Sequence, residues 1–190
     1  MGFFNSIKKG LFLIKLDENA AIELAQDNKS TRTGFLVIII VGLASAISHL
    51  VSVVDQLSLS VFTSIYFYQI LLNNLLIALI SISLTIITIH AIAKIFKGQG
   101  GFKEYFRAQS HVYIPNIISS LFFPNQSLFL YVVYLFNILA SYTVISSVHK
   151  LKTWQSVIAG IITVVVQFIF FTILLLLLPT FVALLLLIKI

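Results

Sequence analysis

The side chains that could do chemistry in this chain are few: four histidines, a scatter of Asn and Gln amides in apolar surroundings, one glycine-rich stretch, six acidic residues and no cysteine. Without cysteine there are no disulfides, thiolate metal sites or thiol nucleophiles. His90, His111 and His149 each stand at the edge of a long apolar run, and three imidazoles with an open position would in principle suit zinc. They lack the close pairing of an HExxH helix, however, and a solvated histidine at a membrane edge is common, so neither a metal site nor a cofactor is expected. The stretch Gly98-Gln99-Gly100-Gly101 has neither the Gly-Lys-Ser/Thr ending nor the preceding strand of a phosphate-binding loop, and reads as a flexible turn. No nucleophile or phosphoryl-transfer motif stands out, so the chain is not expected to be an enzyme.

The amides are more informative. Gln69, Asn73, Asn74, Asn116, Asn137 and Gln167 fall inside apolar runs. There they can hydrogen-bond between helices, each bond contributing about 1 kcal/mol in a membrane. Two uses are open: holding a helix bundle together, or lining a polar track in a channel, permease or lipid-translocating protein. Asn73, Asn116 and Asn137 are the candidates for such a track. No Asp or Glu lies in the apolar runs, which argues against an ion-coupled pump.

The elements that must position these groups are membrane spans. Hydrophobic residues make up 59% of the chain, charged residues only 9%, and the mean hydropathy is +1.08, which excludes an ordinary soluble domain. Eleven of the twelve Lys and Arg residues fall in three segments: residues 8–32, residues 94–107, and Lys150 with Lys152. The intervening turns near Asp55 and Pro124 carry none. Because Lys and Arg accumulate on the cytoplasmic side, the N-terminus and both later basic segments are expected there, with five crossings and the C-terminus outside.

The expected fold is therefore an all-α, five-span transmembrane bundle preceded by a short amphipathic cytoplasmic region, residues 1–33. Phe3, Phe4, Ile7, Leu11 and Ile14 recur at helical spacing among lysines, the pattern of an interfacial helix, and Asp17 can cap a second short helix carrying Ala21, Ile22, Leu24 and Ala25. The spans are expected over about residues 34–54, 70–93, 108–123, 128–148 and 154–178, with an apolar tail at 179–190 that prolongs the last helix or lies along the surface. Pro115 predicts a kink or break near Ser110 to Ile114. Gly42 with Ala46, and Ser156 with Gly160, are small residues four apart that would allow close helix contact or a homo-oligomer.

Aromatic and basic residues on the short loops suit a docking face for anionic head groups or a protein: Phe102, Lys103, Tyr105, Arg107, His149, Lys150 and Lys152. The competing reading is that these charges only set topology. The net charge of +6 is read the same way, as membrane-facing, and no nucleic-acid partner is expected.

The run from Gly98 to Arg107 followed by His111-Val112-Tyr113-Ile114-Pro115 resembles the segment of Yip-family membrane proteins in which a glycine-rich loop precedes a Tyr-x-Pro element. The order of the remaining elements is similar too, from Leu16-Asp17-Glu18 through the basic turn before Trp154. The resemblance implies a five-span bundle with a cytoplasmic N-terminus and a role in membrane trafficking or organisation. In eukaryotic members it implies a Rab GTPase partner. This chain lacks their long N-terminal region and their DLYGP-like motif, and is more similar to a bacterial or archaeal member, which would place it in the cell membrane. Tyr113 and Pro115 carry over as structural motif residues.

Overall fold

A computed structural model describes residues 2–54, 65–122 and 127–187, which are helical without strands. The expected turns at Asp55 and at Pro124-Asn125-Gln126 lie outside the described residues. Two short helices come first, α1 (Phe3–Leu13) and α2 (Glu18–Gln26). On α1, Ser6, Gly10 and Leu13 turn inward, while Phe3, Phe4 and Leu11 stay exposed. Asp17 caps α2, its carboxylate accepting from the Ala20 amide at 3.2 Å. Ala20, Ala21, Leu24 and Ala25 are buried, whereas Ile22, expected beside them, is exposed. A Lys9–Glu23 ion pair ties the two helices together.

Four long helices follow the apolar runs: α3 (Ser30–Val54), α4 (Ile65–Ile95), α7 (Ser127–His149) and α8 (Thr153–Leu187). Each contains a stretch long and apolar enough to cross a membrane: Ser30–Val51, Leu71–Ile95, Tyr131–His149 and Thr153–Phe170. Their outer faces keep large apolar side chains exposed, among them Phe35, Ile39, Leu72, Tyr131 and Phe168, as lipid contact requires. α8 runs on through Pro179, so the apolar tail continues this helix as far as Leu187.

The region expected as one span over 108–123 is instead two helices, α5 (Phe102–His111) and α6 (Ile114–Phe122), broken at Val112-Tyr113. At ~1.5 Å per residue each is about 15 Å long, half of a ~30 Å hydrocarbon core. Pro115 lies in the first turn of α6, where its missing N–H breaks no helical bond, so it starts a helix rather than kinking one. Though polar, α5 is buried from Tyr105 to His111 and packs against α1, α2, α3, α4 and α7.

Three contacts step along α7. Tyr105 faces His149 with ring centroids 5.1 Å apart, Gln109 Nε2 donates to Ser141 Oγ at 2.7 Å, and Asn137 Nδ2 donates to Asn116 Oδ1 at 2.6 Å. As the numbering rises along α5 and α6 it falls along α7, so the broken pair runs antiparallel to α7. The rungs extend from His149 to Asn137, about 18 Å at ~1.5 Å per residue.

Candidate functional site

Lys94, Lys97, Lys103, Lys150 and Lys152 gather where α4 and α7 end and where α5 and α8 begin. The glycine-rich loop closes this basic end. The Gln99 amide donates to the His149 carbonyl at 3.0 Å, and Lys94 Nζ donates to the Gly98 carbonyl at 3.0 Å. A Cβ on Gly98 would lie 2.8 Å from the Ala93 carbonyl oxygen, and one on Gly100 would lie 2.6 Å from that of Val148. The glycines are needed for this close approach of backbones, not for phosphate. Glu104 then starts α5 by accepting from the Gly101 amide at 2.7 Å.

Of the seven residues expected on a docking face, Phe102, Lys103, Lys150 and Lys152 are exposed. Tyr105, Arg107 and His149 are not, and the structure corrects their reading as surface groups. Arg107, only 9% exposed, donates from Nη1 to the Ala25 carbonyl at 2.9 Å and from Nε to Thr31 Oγ1 at 2.8 Å. It therefore fastens the end of α2 and the start of α3 to α5. His149 lies under the basic end, its Nε2 3.3 Å from His90 Nδ1, one ring donating and the other accepting. His111 stands apart and donates from Nδ1 to the Arg107 carbonyl at 2.6 Å. Among the described residues no three His, Asp or Glu side chains converge as a metal site would require.

Two cavities flank this polar interior. The first, about 370 Å³, is a trough between α3, α4 and α5, lined by Thr31, Phe35, Ser83, Ile86, Ile87, Phe102, Lys103 and Phe106. Lys103 is the one charged residue in that lining. The second, about 590 Å³, lies where α4, α6, α7 and α8 meet, and Asn116 and Asn137 line it. Asn73 does not: it is exposed on α4, away from this wall, so the three proposed track amides do not meet.

Thr85, Ser141 and Thr163 of the second cavity escaped the sequence reading. Thr85 accepts from Gln167 Nε2, bridging α4 and α8, and Tyr113 lines the same cavity. A signal was present on α8, where Ser156, Gly160, Thr163 and Gln167 recur at spacings of four, three and four and so share one face.

The sequence of residues 12–175 matches the Yip1 domain. The chain belongs to the Yip1 domain family. None of the curated proteins and none of the solved structures compared with it matches. The Yip1 domain thus begins near the end of α1 and reaches into α8, enclosing the glycine loop, the Tyr113-Pro115 break and both cavities. With its four long apolar helices, this Yip1-domain protein is an integral, multi-pass membrane protein.

Proposed function

We propose that this Yip1-domain protein is a non-enzymatic organiser of its membrane, gathering anionic lipid at its basic end through Phe102, Lys103, Lys150 and Lys152. The basic end and the N-terminus face the cytoplasm, across the cell membrane if the source is prokaryotic. The crossings number five, with α5 and α6 together making the broken third. The antiparallel rungs along α7 support that count, because they carry the chain away from the basic end before α7 returns to it.

The trough between α3, α4 and α5 is the observation that carries the lipid reading. An acyl chain against Phe35, Ile86, Ile87 and Phe106 removes apolar surface from contact with head groups and water, and Lys103 at the rim meets a phosphate. A lysine near an anionic leaflet contributes about 1 kcal/mol. The exposed Phe3 and Phe4 beside Lys8 and Lys9 suit α1 to the same interface. A membrane or cytoplasmic protein partner would meet the same four exposed residues, a Rab-like GTPase only in a eukaryotic setting.

The test reconstitutes the protein in bilayers mixing phosphatidylglycerol with phosphatidylcholine and measures retained lipid by native mass spectrometry, for wild type and Lys103→Glu. Wild type is expected to retain phosphatidylglycerol in preference, and the variant to lose about fivefold of that preference, as ~1 kcal/mol implies. Equal retention of both lipids by wild type, or an unchanged preference in the variant, refutes the reading.

A further inference from the structure

The cavity at the junction of α4, α6, α7 and α8 plays no part in the lipid reading of the basic end, and its construction is unlike that of the trough. Its lining is mostly apolar, with uncharged polar groups set into it from every side: Thr85 comes from α4, Asn116 from α6, Asn137 and Ser141 from α7, and Gln167 from α8. No Asp, Glu, Lys, Arg or His lines it. The mouth is largely apolar and faces outward, since Tyr134 and Ile138 on α7 and Val157, Ile161 and Val164 on α8 line the cavity and are themselves exposed. In a bilayer that mouth opens sideways between α7 and α8 into hydrocarbon.

Polar groups at this depth are costly unless something satisfies them, because lipid chains offer neither donors nor acceptors. Two are left over here: Asn137 Oδ1 and Ser156 Oγ lack a hydrogen-bond partner, on side chains that are 9% and 1% exposed. Asn137 Oδ1 can only accept, so its missing partner is a donor. A volume of about 590 Å³ lies within the usual range of small-molecule sites, roughly 300–1,000 Å³. Gly160 keeps part of that space open, as a Cβ built on it meets nothing within 4 Å.

We infer that this cavity binds the head of a neutral, hydroxyl-bearing lipid of the diacylglycerol class, which enters sideways between α7 and α8. The hydroxyl donates to the amide wall around Asn137, and the acyl chains remain at the apolar mouth among Ile138, Ile161 and Val164. A phospholipid head group would bring a phosphate into a low-dielectric site with no cation to meet it, which excludes the anionic lipids drawn to Lys103.

The test uses the full-length protein in lipid nanodiscs with a photoactivatable diacylglycerol probe. The labelled peptides are mapped, and unlabelled diacylglycerol, phosphatidylglycerol or phosphatidylcholine serves as competitor. Labelling should fall on α7 and α8 and be displaced by diacylglycerol alone. Gly160→Leu, which fills the space, should reduce it about tenfold, and Asn137→Leu, which removes the acceptor, about fivefold. Ile161→Trp narrows the mouth from an exposed position and replaces Gly160→Leu should that variant fail to fold. Labelling that persists through Gly160→Leu or Ile161→Trp, equal displacement by either phospholipid, labelling elsewhere, or no labelling overturns the inference. Phosphatidylglycerol retention through Lys103 is read on the same samples, so failure of either site is distinguishable from failure of the other.

Discussion

The surroundings of α5 and the junction of α7 with α8 solve opposite problems in one bundle. Around α5, polar side chains are drawn inward and bond across or along the seam, Arg107 to the Ala25 carbonyl and Thr31, Gln109 to Ser141 and His111 to the Arg107 carbonyl, while Tyr105 Oη, Gln109 Oε1 and His111 Nε2 stay unpaired. Between α7 and α8 the polar stripe faces a cavity instead, and the outer surface is left to Ile138, Ile161 and Val164. The difference shows that polarity in this protein does not mark the surface. Buried polar residues mark either the seam that holds the broken helix pair or the wall of a space, and what separates the two is whether packed helices or a cavity lie against them.

The sharpest way to break the comparison is at Arg107. Replacing it with Leu leaves the Ala25 carbonyl and the Thr31 hydroxyl without their donor and releases α2 from α5. Desolvated partners cost about 1–3 kcal/mol each, so a loss of about 2–6 kcal/mol is expected, measured as denaturant resistance in mild detergent with faster proteolysis before residue 33. Stability equal to wild type would remove Arg107 from the seam. Gly100→Ala comes next: its Cβ would press on the Val148 carbonyl, and a loss of about 1–3 kcal/mol is expected by thermal unfolding. Lys103→Glu should instead leave stability within ~0.5 kcal/mol while changing the retained lipid.

A double-mutant cycle of Asn116→Leu and Asn137→Leu sharpens the boundary between the two regions, because this pair belongs to the rungs along α7 and also lines the cavity. A coupling of about 0.6–1.7 kcal/mol is expected from unfolding measurements in lipid. A coupling near zero would mean that the amides serve the cavity alone.

The long apolar runs make α3, α4, α7 and α8 legible in the sequence, Asp17 announces the start of α2, and Pro115 announces a break. What periodicity could not reveal is that α5 is interior. Phe102 to His111 has the charge and polarity of a surface loop, and its burial follows from α2 and α3 folding over it and from partners on remote helices. Arg107 was read as a docking group for that reason, although its partners Ala25 and Thr31 lie far away in sequence. Asn73 failed for the reverse reason: an amide in an apolar helix looks interior, yet it occupies an exposed position on α4. The stripe on α8 was readable, but Ser, Gly and Thr are common in membrane helices, and only the adjoining α4 and α7 walls turn the stripe into a cavity.

The central claim is that α5 and α6 together form one broken crossing, which places the basic end opposite the C-terminal end of α6. The chain has no cysteine, so single-cysteine labelling reads this directly. Lys150→Cys and Gln126→Cys would be exposed to a membrane-impermeant maleimide in intact cells and again after permeabilisation. The expected result is reaction at Gln126→Cys in intact cells and at Lys150→Cys only after permeabilisation. Reaction of both positions from the same side would mean that α5 and α6 turn back without crossing, and would contradict the five-span account.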